Sequence, residues 1–203
     1  MDQHSLNLRA ATPTLDEGLV CARYLDEAAE GFFRIMLGRR APEILAKAYA
    51  QPDNSYSYEN VIFAEHDGRI VGMALGFTAE EHHRFSDRPL KQAAGFPALR
   101  MRTVQLLIRP MLQVLKTIAD GDFYLLSIAI DEDQRGQGVG SALIDSIEER
   151  ARASGSTRLS LDVAVKNEGA RSLYERRGMT VKSRWPKRLN LPGLGLLRMT
   201  KTL

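Results

Sequence analysis

The stretch that decides the fold reads Ile128-Ala129-Ile130-Asp131-Glu132-Asp133-Gln134-Arg135-Gly136-Gln137-Gly138-Val139-Gly140-Ser141. It closes a nearly unbroken apolar run, residues 123–130, which is typical of a central strand buried on both faces. After a polar loop with three glycines, residues 138–153 place apolar side chains on one stripe, as an amphipathic helix does. The sequence therefore predicts a buried strand, a glycine-rich turn and a helix in direct succession.

The glycine-rich turn predicts an anion site. Glycines let a backbone approach a ligand with no Cβ in the way. The N-terminus of a helix offers unpaired N–H groups and a partial positive charge, and this combination binds phosphate groups. The natural occupant of such a site is a phosphate group.

Two other phosphate-binding motifs match less well. A P-loop is excluded, because neither Lys-Ser nor Lys-Thr follows the glycines. A dinucleotide-binding fold is a stronger rival, since Asp162 lies near the end of the next predicted strand. However, the glycines follow the spacing Gly136-x-Gly138-x-Gly140, where G-x-G-x-x-G is expected, and the chain after them is too short for the rest of a doubly wound sheet.

The segment Arg135-Gly136-Gln137-Gly138-Val139-Gly140 resembles the R/Q-x-x-G-x-G/A acyl-CoA signature of the GNAT N-acetyltransferase superfamily. Residues 167–179 are similar to the family's N-x-x-A-x-x-L-Y-x-x-x-G-F segment, with Met179 in place of the usual Phe. Two motifs in the right order, each on the expected element, make the resemblance specific. It implies one GNAT-like domain over residues 1–203, with an acyl-CoA-binding core at 123–179.

The implied fold class is α/β of the mixed α+β kind, with a central, mostly antiparallel twisted sheet flanked by helices. Strands are predicted at residues 6–10, 61–65, 69–77, 123–130, 159–165, 179–185 and 196–203. Helices are predicted at residues 14–29, 42–50, 138–153 and 168–177. Asp67-Gly68 between two β-rich runs is a strong hairpin signal.

Residues 78–122 are predicted to form a mostly helical insertion between the third and fourth strands. Apolar residues recur at helical spacing between Val104 and Leu115, so one face of that helix is expected to be buried. This face either roofs the acceptor groove, which we favour, or meets its copy in a homodimer.

The family resemblance also implies roles for individual residues. In GNAT proteins the backbone of the central strand, here Ile128, Ala129 and Ile130, pairs with the pantetheine arm of acetyl-CoA. The resemblance further implies that the pyrophosphate is held by the N–H groups of the loop that comprises Arg135, Gly136, Gln137, Gly138, Val139, Gly140 and Ser141. Asn167 would bond to that arm near its thiol end, although Asn is also a good helix N-cap. Tyr174 would face the sulfur and act as the general acid, the alternative being a packing role in the core.

The general base is less defined. An amine with a pKa near 10 is mostly protonated at about pH 7, and this mismatch of about three units costs roughly 4 kcal/mol. Asp162 is the first candidate, because a Glu at the similar position is the base in ribosomal-protein N-terminal acetyltransferases; Asp is one methylene shorter. Glu81, His82, His83 or a water molecule are the alternatives. These neighbouring side chains do not easily converge on one ion, so no metal site is predicted.

The composition limits which binding partners and which cellular compartment are expected. A formal net charge of +3 is too small to indicate nucleic acid binding. The most apolar stretch, residues 104–119, is interrupted by Arg109, Pro110 and Lys116, whereas a bilayer span needs roughly 20 apolar residues. Cys21 is the only cysteine and no signal segment is recognisable, which suits a cytoplasmic protein.

These observations predict an acetyl-CoA-dependent N-acetyltransferase in which the amine attacks the thioester directly and backbone N–H groups stabilise the oxyanion. A small-molecule acceptor is favoured, because the insertion would cap and narrow the acceptor groove. The alternatives are a protein N-terminal or lysine acetyltransferase, and a regulatory protein that binds acyl-CoA without turnover. The pair Asn167 and Tyr174 favours an enzyme, since a binding protein has no need of Tyr174.

Overall fold

A computed structural model of the chain describes residues 6–95, 106, 117–186 and 195–203. These residues form seven strands: β1 Asn7–Ala10, β2 Val61–His66, β3 Arg69–Thr78, β4 Asp122–Ile130, β5 Arg158–Ala164, β6 Thr180–Trp185 and β7 Leu196–Thr202. The helices are α1 Leu15–Ala28, α2 Phe32–Leu37, α3 Ala41–Tyr49, α4 Ala79–Arg84, α5 Arg88–Ala94, α6 Val139–Ala153 and α7 Glu168–Arg176.

All seven strands join one sheet in the order β1-β2-β3-β4-β5-β7-β6. Only β4 and β5 run parallel, and the other neighbours are antiparallel. The β2–β3 hairpin turns at Asp67 and Gly68, whose φ angles are 52° and 75°. Positive φ at both positions is the requirement that favours Asp-Gly in such a turn. The predicted fold class and hairpin are confirmed.

Helices cover both faces of the sheet. One face packs on α1 to α5 through a core that contains the fully buried Tyr24, Tyr49 and Phe77. The opposite face packs on α6 and α7, where Leu143 and Ile147 of the predicted apolar stripe are fully buried. The amphipathic pattern of the 138–153 segment therefore reflects a helix that lies flat on the sheet.

A β-bulge interrupts β4 at Leu126. In the ladder with β3, Leu125 pairs with Gly76 and Ser127 pairs with Leu75, so Leu126 is the extra residue. A bulge of this kind changes which side chains face each side of the sheet, and bulges are common beside active sites. Both Leu126 and Ser127 consequently contribute to one cavity. The sequence pattern predicted the strand but not this bulge.

Strands β4 and β5 separate beyond their first four residues. The parallel ladder joins Asp122–Leu125 to residues 158–161, whereas β4 continues to Ile130 on β3 and β5 continues to Ala164 on β7. Beyond Leu125 no described strand pairs with the β5-facing edge of β4. Its backbone groups there open into a cleft between the two strands.

One predicted boundary needs adjustment. Asp122 begins β4 instead of closing the insertion, and its carboxylate pairs with Arg158 at 2.6 Å. The helix predicted at residues 14–29 is capped by Thr14, and the Glu17 carboxylate accepts from the N–H of Thr12. The helix predicted around residues 104–115, with its lid or dimer role, lies outside the described residues except for the exposed Leu106.

Candidate active site

The glycine-rich loop after β4 has an open, left-handed backbone. Gly136 and Gly138 have φ angles of 78° and 89°, which side chains other than glycine rarely adopt. A Cβ placed on either glycine would meet no described atom within 4 Å. At Gly140, in contrast, a Cβ would lie 2.9 Å from Cδ1 of Ile130. The first two glycines therefore leave room for a ligand, and the third lets α6 pack closely on β4.

The N-terminus of α6 has no side-chain cap. Gly138 occupies the cap position without a side-chain hydrogen bond, whereas α1, α4 and α7 are capped by Thr14, Thr78 and Asn167. The N–H of Ala142 is the first to bond back into the helix, to the carbonyl of Gly138. The preceding N–H groups, of residues 139–141, are thus left for an external acceptor at the positive end of the helix dipole.

Asp131 fixes the start of this loop. Its Oδ1 accepts from the Tyr24 hydroxyl at 2.9 Å and from Arg23 at 3.0 Å, and its Oδ2 accepts from Arg69 at 2.8 Å. Burial alone would raise the pKa of Asp131, but the hydrogen bonds from Tyr24 and Arg23 lower it overall. The carboxylate ties the loop to α1 and β3 and holds two guanidinium groups beside it. Nothing local in the sequence links these partners.

The cleft between β4 and β5 opens into a cavity of about 1140 Å³ beneath the helices of the first face. Leu126 and Ser127 line it from β4, and Asp162 and Ala164 line it from β5. The Ser127 side chain is buried, and its hydroxyl finds no hydrogen-bond partner among the described residues. A buried polar atom left unsatisfied is costly, so it marks a place where a ligand or water completes the bonding.

Asp162 lies at the wall of this cavity in a dense polar cluster. Its Oδ1 accepts from Nε of Arg198 at 2.9 Å, and its Oδ2 accepts from Nη2 of Arg198 at 2.6 Å and from the Tyr124 hydroxyl at 2.9 Å. Burial, followed by the charge of Asp162, raises the pKa of Tyr124 well above its ordinary value. Burial acts to lower the pKa of Arg198, yet its bonds to Asp162 raise it overall.

The family model described as Acetyltransferase (GNAT) family matches residues 24–179. The chain belongs to the GNAT acetyltransferase family. Members of this family are acyl-CoA-dependent N-acyltransferases, so the predicted family and enzyme class are confirmed. The matched region contains the glycine-rich loop, the β4–β5 cleft, Asp162 and α7.

Individual similar proteins agree with this family membership. A crystal structure of an acetyltransferase is 26% identical and covers 97% of this chain and 98% of its own, with a TM-score of 0.69. A candidate ribosomal protein bS18-alanine N-acetyltransferase of Bacillus subtilis strain 168 is 40% identical over 58 residues, which are 29% of this chain and 38% of that protein. A Bacillus subtilis acetyltransferase in complex with CoA is 12% identical, covers 98% and 99% of the two chains, and has a TM-score of 0.56, which shows the fold alone.

In this GNAT protein, the residues of the family motif at 167–179 lie on α7 and in the turns on either side of it. Asn167 is exposed and caps α7, with Oδ1 accepting from the N–H of Ala170 at 3.1 Å. Tyr174 is only 6% exposed and packs on the α6 side of the sheet, where burial raises its pKa. Tyr174 is not among the described residues that line the cavity, so the structure does not bring it together with Asp162 there.

The three alternative bases after β3 have separate surroundings. The Glu81 carboxylate accepts from the N–H of Thr78 at 2.8 Å, which completes the capping box of α4. His82 lines the cavity and stacks on Phe77 with ring centroids 5.5 Å apart. His83 is exposed. Of these three side chains, only His82 reaches the cavity.

Proposed function

We propose that this GNAT protein is an acetyl-CoA-dependent N-acetyltransferase that transfers the acetyl group directly to a small primary amine. One observation carries the proposal. The cleft between β4 and β5 adjoins the uncapped N-terminus of α6 and opens into a cavity that is lined by Asp162. A phosphate-bearing donor and an amine acceptor can therefore meet from two sides at the same strand edge.

The described residues fit acetyl-CoA. The open loop Arg135, Gly136, Gln137, Gly138, Val139, Gly140 and Ser141 would hold the pyrophosphate through backbone N–H groups. The unpaired edge of β4 at Ile128, Ala129 and Ile130 would bond to the pantetheine arm. The Asn167 side chain keeps its NH₂ donors for the same arm while its oxygen caps α7. When bound, acetyl-CoA supplies an acetyl group activated as a thioester.

Direct transfer is favoured because the chain has no accessible thiol to carry an acetyl group. Cys21 is its only cysteine, and the side chain is 0% exposed within the core under α1. Burial raises the pKa of this thiol, so the reactive thiolate is suppressed as well. The acceptor amine must then attack the acetyl group in a ternary complex.

Tyr174 is the proposed general acid. Its raised pKa keeps the hydroxyl protonated over the range in which an enzyme can be assayed. The hydroxyl therefore remains a proton donor as the acetyl group leaves. Titration of Tyr174 is expected to leave no mark on the pH–rate profile below about pH 10, the ordinary phenol value.

Asp162 is the proposed acceptor of the amine proton, and Tyr124 is the proposed relay. An amine N–H gives its proton to the Tyr124 oxygen while the Tyr124 O–H gives its proton to Oδ2 of Asp162, 2.9 Å away. Arg198 holds the carboxylate in place for this transfer. His82 or a water molecule would take the same role if Tyr124 does not face the amine.

Tyr124→Phe tests the relay without breaking the ion pair of Asp162 and Arg198. Removal of Asp162 itself is a poorer test, because a buried charge left unpaired destabilises a protein by about 3–5 kcal/mol. We expect kcat of the variant to fall about tenfold with the KM for acetyl-CoA unchanged. Tyr58→Phe, outside the cavity lining, is the control. An unchanged rate of Tyr124→Phe between about pH 6 and pH 9 would remove Tyr124 from the mechanism.

Protein N-terminal acetylation is the second candidate function, favoured by the 58-residue similarity to the candidate ribosomal-protein acetyltransferase. Thiol release from acetyl-CoA, measured with a panel of small amines and with short peptides, tests both candidates. We expect release that depends on a small amine. Release that depends only on peptides would support the second candidate, and release with no acceptor would contradict both.

A further inference from the structure

We propose that the acceptor is a monoamine carried on an apolar, preferably aromatic, body, and that the protein discriminates against diamines and polyamines. This inference rests on the proposed function and specifies the substrate class of the same site. The observation behind it is a large cavity whose walls are aromatic and whose described carboxylates are all paired with cations.

Aromatic side chains line the cavity on two sides. On the α2 side, Phe33 lies edge to face with Phe32 at 5.7 Å and with Tyr56 at 5.6 Å between ring centroids. On the sheet side, Phe77 meets Phe85 at 5.0 Å. Such surfaces bind an apolar body through area burial and ring packing. Burial, followed by the charge of Asp87, raises the pKa of Tyr56 to about 12.

The described carboxylates that line the cavity already have cationic partners. Asp162 is bonded to Arg198 at 2.6 Å, Glu30 pairs with Lys166 at 2.5 Å, and Asp87 lies 3.6 Å from Lys91. Arg88 adds a further positive charge to the same lining. A second ammonium on the acceptor would have to compete with these cations for a counter-charge, which is unfavourable.

The residues outside the described structure supply little negative charge. They are residues 1–5, 96–105, 107–116 and 187–194, and Asp2 is their only acidic residue. Residues 96–105, 107–116 and 187–194 contain only cationic and neutral residues. The charge argument is therefore independent of where they lie.

Three polar side chains of the cavity lie at the strand cleft, where we place the reacting nitrogen. Ser127 offers an unsatisfied buried hydroxyl next to the bulge, and Tyr124 and Asp162 lie on the neighbouring wall. One amine end is thus served by a hydroxyl and a proton acceptor, while the body extends over the aromatic walls. This arrangement fits one nitrogen per acceptor.

Matched amines test the proposed discrimination against a second ammonium group. Hexylamine and hexamethylenediamine have the same carbon chain and differ by one ammonium, and phenethylamine adds an aromatic body. Initial rates of thiol release should give hexylamine a kcat/KM at least about tenfold above that of the diamine, with phenethylamine at or above hexylamine. Equal or faster turnover of hexamethylenediamine or spermidine would overturn the inference and leave the proposed function standing.

Two variants on α2 test the aromatic wall. Phe32 is half-buried and lines the cavity, whereas Ile35 on the same helix is 60% exposed and does not. Phe32→Ala should lower kcat/KM for phenethylamine about fivefold or more, with the KM for acetyl-CoA unchanged. Ile35→Ala should change neither value. Equal effects of the two substitutions would show that the aromatic wall takes no part in acceptor binding.

Direct binding separates this inference from the proposed function. Ligand-observed NMR of the acetyl-CoA-saturated protein should show hexylamine binding tighter than hexamethylenediamine, even if no amine is turned over. If the diamine binds equally well, the inference fails whatever the outcome of the assay. A peptide with N-terminal Phe that is acetylated faster than phenethylamine would also overturn it, in favour of a protein acceptor.

Discussion

Replacement of Tyr174 by Phe is expected to lower kcat by on the order of 100-fold while the affinity for acetyl-CoA changes little. The substitution removes one hydroxyl from a side chain that is 6% exposed and retains its packing against α6. The proposed proton donor to the leaving group is lost, whereas the loop proposed to bind the phosphates is untouched. Steady-state kinetics together with calorimetric titration of CoA measure the two quantities separately.

Two controls make the Tyr174 result specific. The thermal unfolding midpoint of the variant should stay close to that of the parent, because no described residue accepts a hydrogen bond from this hydroxyl. Tyr58→Phe removes a hydroxyl from a side chain that does not line the cavity and should leave kcat unchanged. If Tyr174→Phe acts at the parental rate on its acceptor, Tyr174 serves only to pack the core.

Substitution of Gly138 by Asp should weaken CoA binding by at least on the order of 100-fold. The position has a φ of 89° and opens on the space where the pyrophosphate is expected. An aspartate there adds a negative charge beside the phosphates and competes for the free N–H groups of α6. The left-handed backbone adds strain of about 1–2 kcal/mol.

Gly155→Asp is the matched control for that strain. Gly155 follows the C-terminus of α6 with a φ of 77°, and a Cβ there would meet no described atom within 4 Å. Both variants introduce the same residue at a left-handed position, at opposite ends of one helix. We expect urea unfolding to show the larger loss of stability in Gly155→Asp, because a carboxylate is favourable at a helix N-terminus and unfavourable at its C-terminus, but a loss of CoA affinity only in Gly138→Asp. Equal CoA affinities in the two variants would show that the glycine-rich loop does not bind the cofactor.

The sequence was sufficient for the elements whose signals are local. The Asp67-Gly68 turn, the apolar stripe of α6 and the capping of α7 by Asn167 depend on residues a few positions apart, and the structure confirms them. The alternating glycines belong to this class as well, because each one meets a backbone requirement at its own position.

Features that depend on distant pairs could not be predicted. Asp131 lies more than 60 positions from Arg69 and more than 100 from Arg23, and Asp162 meets Tyr124 and Arg198 only after the sheet has formed. The bulge at Leu126 arises from the register with β3, which residue type alone does not set. Asp162 was a candidate base from the family resemblance, but its ion pair with Arg198 had no signal in the sequence.

The separation of β4 from β5 also depends on which strand edges pair in the folded sheet. Each strand is apolar enough to be fully paired, yet their shared ladder stops at Leu125 and Leu161. Beyond these residues β4 still pairs with β3 and β5 still pairs with β7, so the cleft forms while both strands keep one partner. Periodicity predicts a strand but not which of its edges remains open.

The central claim is direct transfer between two ligands that meet at this cleft, and initial-rate kinetics test it most directly. Rates are measured with acetyl-CoA and the best amine of the panel both varied. The structure predicts intersecting double-reciprocal lines and no acetyl group on the protein, because Cys21 is buried and the chain has no other thiol. Parallel lines, together with an acetylated protein that passes its group to the amine, would contradict the account.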